Sequence, residues 1–88
     1  MKIVATKRYK KELKIILEAL LDQMDFQSAK NFKLYLDTII INIPTKLHKY
    51  KVSSFFNDPH VKEIDYSGFK IFIYEDIKQN YIVLLSIA

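Results

Sequence analysis

The sequence predicts an α+β domain, in the order β-α-α-β-β-β, with an N-terminal helical hairpin packed on one face of an antiparallel sheet. Three observations carry this. Apolar residues recur at helical spacing in two successive stretches between Tyr9 and Ile43. They alternate at period two on either side of the only glycine, Gly68. One glycine and two prolines in 88 residues are sparse punctuation, so the elements are long.

Lys2 to Ala5 is short, β-branched and apolar, a first strand, and Thr6 offers a hydroxyl suited to cap the helix that follows. From Lys7 to about Gln23, Tyr9, Leu13, Ile16, Leu20 and Met24 fall on one helical face, widened by Leu17 and Leu21. Asp25 caps a second helix, on which Ala29, Phe32, Leu36, Ile39 or Ile40, and Ile43 keep the period up to Pro44. The run from Thr38 to Ile43 is β-branched enough to suit a strand. Its pattern starts ten residues earlier without a break, and a proline turns the residue before it away from α, so a helix ending at Ile43 is expected. Two such helices with a short connection make an antiparallel hairpin.

Thr45 to Asn57 is basic and aromatic without a period and reads as loop, with room for a helical turn around Lys46 to Lys51. Asp58-Pro59 marks a turn. His60 to Tyr66, Phe69 to Glu75 and Tyr81 to Ile87 read as strands, joined by a tight turn at Ser67-Gly68 and another over Asp76 to Asn80. In the middle strand Phe69, Ile71 and Ile73 share one face, and Lys70, Phe72 and Tyr74 the other. The last strand is apolar on both faces, which suits a central position or cover by helices.

Composition narrows the function classes. The chain is 50% apolar and 27% charged, a globular balance, and at this length it forms a single domain, residues 1–88. A domain of this size buries roughly 65% of its unfolded surface, so stability is modest and a partner can supply part of it. With no cysteine there is neither a disulfide framework nor a thiolate zinc site, which fits a cytoplasmic protein. No apolar run approaches the ~20 residues of a spanning helix, so no membrane is expected. A single glycine excludes a glycine-rich phosphate loop and a nucleophile elbow. His48 and His60 are the only histidines and have no obvious third ligand, so neither metal nor cofactor is expected.

Three stretches of the C-terminal third carry a family resemblance: Val61-Lys62-Glu63-Ile64, the run from Tyr66 through Gly68 to Glu75, and Tyr81 to Ile87. With the element order, they resemble the RelE/ParE superfamily of toxins from type II toxin-antitoxin modules. Members typically read valine-arginine-glutamate-leucine, a turn glycine, tyrosine-arginine-isoleucine with a further tyrosine, and a closing apolar strand. Asp25 to Leu36 looks like the family's second helix and Ile43-Pro44 like its usual exit. The resemblance implies a cognate antitoxin as partner, in a homodimer or a toxin-antitoxin hetero-oligomer. One branch cuts messenger RNA on the ribosome with basic residues of the sheet face and a C-terminal Tyr or His. Aligned on Gly68, its tyrosine-arginine-isoleucine arginine falls at Lys70, but two further basic positions fall at Val61 and Glu63. The sequence also stops at Ala88, where that branch continues into catalytic residues. The ParE-like branch, which poisons DNA gyrase without cleaving anything itself, fits better.

The basic excess, 14 Lys and Arg against 10 acids, lies mostly on the first helix and after Pro44. Lys7, Arg8, Lys10, Lys11 and Lys14 form a face for an acidic antitoxin segment, a gyrase surface or nucleic acid; a solvated helix face accounts for them as well. Lys46, His48, Lys49, Tyr50 and Lys51 interleave charge with rings, as nucleic-acid sites do, but equally as side chains covering a sheet edge do. Lys70, between the rings of Phe72 and Tyr74, is the best single candidate for a functional cation, and those rings, if exposed, mark a partner surface. The target-binding candidates are thus Lys49, Lys51, Lys70, Phe72 and Tyr74. The expected function is a toxin that binds DNA gyrase and is neutralised by an antitoxin. The first alternative is a ribosome-dependent endonuclease that holds the phosphate with Lys70 and Lys62 or Lys51, and moves protons with Tyr74 or a histidine. The second is an inactive relative acting as an interaction module.

Overall fold

The computed structural model describes residues 1–88 and has the elements in the expected order: β1 (Lys2–Ala5), α1 (Lys7–Gln23), α2 (Phe26–Lys46), a 3-10 turn (Leu47–Lys49), β2 (Lys51–Val52), β3 (Val61–Tyr66), β4 (Phe69–Asp76) and β5 (Tyr81–Ile87). Both helices start at the expected caps. Thr6 Oγ1 accepts the Tyr9 N–H at 3.0 Å, and Asp25 Oδ1 accepts that of Ser28 at 2.7 Å.

The second helix does not end at Ile43. It runs through Pro44 to Lys46. A proline removes one bond, here the one to the Ile40 carbonyl, and so near the helix end that loss is borne. In the same turns Asn42 Nδ2 donates to the Thr38 carbonyl at 2.9 Å and Thr45 Oγ1 to the Asn42 carbonyl at 3.0 Å. The segment expected to be loop then makes a 3-10 turn and the two-residue strand β2.

The five strands form one sheet in the order β1-β5-β4-β3-β2. β3, β4 and β5 are the antiparallel meander read from the sequence, and β2 adds antiparallel to β3. β1 joins the far edge parallel to β5, with Lys2 beside Tyr81 and Ala5 beside Leu84, so the sheet is mixed. β5 is therefore internal, as its two apolar faces require. Ser67 (φ 50°) and Gly68 (φ 84°) both occupy the left-handed region in the two-residue turn that sets the β3–β4 register.

The helical hairpin covers one sheet face. Ile64, Ile71, Ile73, Ile82, Leu84 and Ile87 meet Tyr9, Phe32, Leu36 and Ile43 in a single core. Leu36, Ile43, Ile71, Ile73, Ile82 and Ile87 are wholly buried, each contributing roughly 1.5–3 kcal/mol. A bulge interrupts β5: Ile73 pairs with Leu84 but Phe72 with Ser86, leaving Leu85 as the extra residue. Core positions on β5 consequently step from Ile82 to Leu84 to Ile87, and Ser86 turns to the other face. Thr6 holds the bulge, donating Oγ1–H to the Leu85 carbonyl at 2.9 Å and its N–H to that of Leu84 at 3.0 Å.

Candidate interaction site on the open sheet face

The alternation that buries Ile71 and Ile73 sends Lys70, Phe72 and Tyr74 to the face away from the helices. Across on β3, register places Val61, Glu63 and Asp65 beside Tyr74, Phe72 and Lys70 in turn. Glu63 is the electrostatic centre of this face. Its side chain is only 2% exposed, and its carboxylate takes Lys51 Nζ at 3.1 Å, Lys70 Nζ at 3.4 Å and the Ser53 hydroxyl at 3.1 Å. Lys51 foremost, with Ser53 and Lys70, holds the Glu63 carboxyl below the usual carboxylate range against the opposing effect of burial. Asp65 takes Lys70 more closely, at 2.8 Å, which lowers the Asp65 pKa and raises that of Lys70.

Ser53 also shapes the loop that follows. Its hydroxyl accepts the Phe55 N–H at 3.2 Å, and Asp58 accepts the His60 N–H at 2.8 Å before the chain enters β3. Between these anchors Phe55 and Phe56 lie edge-on to Phe72, with ring centroids 5.8 and 5.3 Å away. Phe72 is thereby buried, while Phe55 stays 70% exposed. The rings exposed beside Lys70 are therefore Phe55 and, to a lesser degree, Phe56.

The remaining wall comes from α1, which runs along the end of β5 that β1 leaves free. Glu12 Oε1 accepts the Ser86 hydroxyl at 2.6 Å and the Ile87 N–H at 3.2 Å, and Arg8 Nε lies 3.4 Å from the other carboxylate oxygen. Burial pushes the Glu12 carboxyl up, but the bonds from Ser86, Ile87 and Arg8 outweigh it and leave the pKa lowered. Arg8, Phe55, Phe56, Lys70, Phe72 and Ser86 line an open cleft of about 370 Å³.

The other candidate residues are dispersed. Lys62 points to the helix side, next to Ile73, donating to the Leu47 carbonyl at 2.8 Å with Glu75 at 3.9 Å. Lys62 and Lys70 thus lie on opposite faces and cannot hold one phosphate. Tyr74 is half-buried with His60 at its edge, ring centroids 6.1 Å apart. Lys49 and Lys51 flank a separate shallow groove along Glu63, Ile64 and Asp65. Lys7, Arg8, Lys10, Lys11 and Lys14 are all exposed on α1; Lys14 has Glu18 at 3.9 Å, and Lys7, Lys10 and Lys11 have no carboxylate partner. Sequence reasoning missed Glu12, Ser53, Phe55 and Phe56. The paired phenylalanines of an otherwise polar loop before Asp58-Pro59 were the available signal.

No family model and no curated protein matches the sequence. Among solved structures, a chain from the chromosomal ParDE TA (toxin-antitoxin) system of P. aeruginosa matches with a TM-score of 0.76 and 13% identity, covering 99% of this chain and 92% of that one. The chain has the fold of a ParDE component. The match takes in both helices and the whole sheet, so the ParDE-like architecture extends well beyond the C-terminal strands that carry the resemblance in sequence. At 13% identity the likeness is one of fold. No helix is long and apolar enough to cross a membrane.

Proposed function

We propose that the chain is the toxin of a toxin-antitoxin pair, on the ParE side of the RelE/ParE superfamily. In this reading it arrests growth in the cytoplasm by binding DNA gyrase, and a cognate antitoxin neutralises it. Support comes from the ParDE-like fold and from the sequence resemblance around Gly68.

The observation that carries the binding reading over the cleaving one is the pairing of Lys70 with Asp65 and Glu63. A messenger phosphate at Lys70 meets two carboxylates, whose repulsion opposes the transition-state charge that a nuclease must stabilise. Of the two second cations of the nuclease alternative, Lys62 is on the far face, and Lys51 shares the Glu63 carboxylate with Lys70. In favour of that alternative stands the contact between His60 and Tyr74, two groups able to carry protons on the same face as Lys70.

The test is induction of the chain alone in a bacterial host, read by growth, by plasmid supercoiling and by primer extension on translated messages. The proposal expects arrest with lost supercoiling and no new 5′ ends. Arrest with normal supercoiling and new 5′ ends at the decoding site supports the nuclease instead. Unimpaired growth supports the interaction module.

A further inference from the structure

The outer face of the helical hairpin points away from the sheet and the core. On α2 the exposed residues Gln27, Asn31, Leu34, Thr38, Ile41 and Thr45 follow one another at steps of four and three, the spacing of a seam between two helices. None of them is charged in a chain that is 27% charged, and Leu34 and Ile41 are 54% and 72% exposed. The polar members are already engaged along the helix: Gln27 Nε2 donates to Asn31 Oδ1 at 2.9 Å, and Thr38 Oγ1 to the Leu34 carbonyl at 3.1 Å. Covering the seam therefore leaves fewer donors unmatched.

Beside this seam, Ile15 is 58% exposed at the middle of α1, with Arg8 and Lys11 before it and Glu18 and Asp22 after, all exposed. Only Met24 and Asp25 join the two helices, so they run antiparallel. Ile15 lies eight residues before the end of α1 and Leu34 eight after the start of α2, which sets the two level. A half-turn about an axis through both carries the face onto itself with its charges reversed. Lys11 then lies opposite Glu18 of a second copy, and Arg8 opposite Asp22. On α2, Lys30 and Asp37 stand two turns apart on one flank, and the same half-turn sets each against the other. Lys11, Asp22 and Lys30 have no ionic partner within their own chain.

We infer that this face joins two copies of the chain, hairpin against hairpin, about a two-fold axis at Ile15 and Leu34 with the α2 helices antiparallel. A partner of one charge suits it less well, because an acidic or a basic surface meets its own sign on half of α1. Two helices overlapping along some 16 residues cover about 25 by 20 Å. That is the small end of specific interfaces, roughly 1,200 Å² in all, so a weak dimer is expected, with a Kd of about 10–100 μM. The open sheet face stays uncovered in such a dimer, and the pairing holds whether or not the chain arrests growth.

The chain has no cysteine, so single introduced cysteines report the geometry. In the purified full chain at about 100 μM, Leu34→Cys lies on the axis and is expected to form a disulfide-linked dimer on oxidation with copper phenanthroline. Its rate is expected to exceed that of Ile77→Cys, an exposed position at the β4–β5 turn, by at least about tenfold. Gln27→Cys is expected to cross-link no faster than Ile77→Cys, because antiparallel helices hold the two copies of position 27 about 20 Å apart. Sedimentation equilibrium of the parent is expected to show a monomer–dimer equilibrium, and Ile41→Glu to weaken it at least about tenfold. Ile41 is exposed, so that variant is expected to melt like the parent. A parent that stays monomeric up to about 500 μM overturns the inference, as does an Ile41→Glu variant that dimerises equally well. So does Leu34→Cys cross-linking no faster than Ile77→Cys, or Gln27→Cys cross-linking as fast as Leu34→Cys.

Discussion

Lys70 reaches from β4 to the buried carboxylate of Glu63 on β3, 3.4 Å away, and the two belong to one charge cluster with Lys51 and Asp65. The Glu63 pKa is depressed below its ordinary value of 4.5, so between the two values the folded state binds fewer protons than the unfolded one. The stability it contributes is complete above about pH 4.5 and is lost as pH falls through the lower folded value. Glu63→Gln leaves Lys51 and Lys70 facing a neutral amide. The variant is expected to unfold at lower urea than the parent at pH 7, and the gap is expected to narrow by pH 3. A gap that stays constant across that range contradicts the assignment.

Thr6 ties three features together: the end of β1, the cap of α1 and the bulge of β5. Thr6→Ala removes the helix cap and leaves the Leu85 carbonyl without its donor, at a cost of about 2 kcal/mol, or roughly 10 °C in Tm. Thr6→Ser keeps the hydroxyl and is expected to recover most of the loss. Thermal melting of the two variants side by side checks this, and equal losses would show that the methyl group rather than the hydroxyl matters.

Tyr9 is buried in the core, and its hydroxyl has no hydrogen-bond partner. Burial foremost, with the nearby Asp37 charge, pushes its pKa up to about 12. An unmatched buried hydroxyl costs folding free energy that the same ring without it does not incur. Tyr9→Phe is therefore expected to be neutral or to stabilise by up to about 1 kcal/mol in urea unfolding. A loss of more than about 1 kcal/mol would reveal a bond made by the hydroxyl.

The helices and the meander were legible because period and caps are local: Thr6, Asp25 and the Ser67-Gly68 turn each sit where a short-range rule puts them. Pro44 misled because its effect depends on distance from the helix end, and a proline in the last turn removes a bond that the helix can spare. The parallel seat of β1 against β5 joins segments nearly eighty residues apart, and no local pattern encodes it. At the candidate site, the face of Lys70 followed from strand alternation. Its neutralisation needed the β3 register, and the burial of Phe72 needed the path of a loop set by Ser53 and Glu63.

The central claim is that the chain works by binding gyrase and not by cutting RNA. Titration of the purified chain into a reconstituted gyrase supercoiling reaction tests it most directly. The account predicts that supercoiling falls as the chain is added. Undiminished supercoiling at saturating chain, alongside growth arrest that Lys70→Ala abolishes, would contradict it.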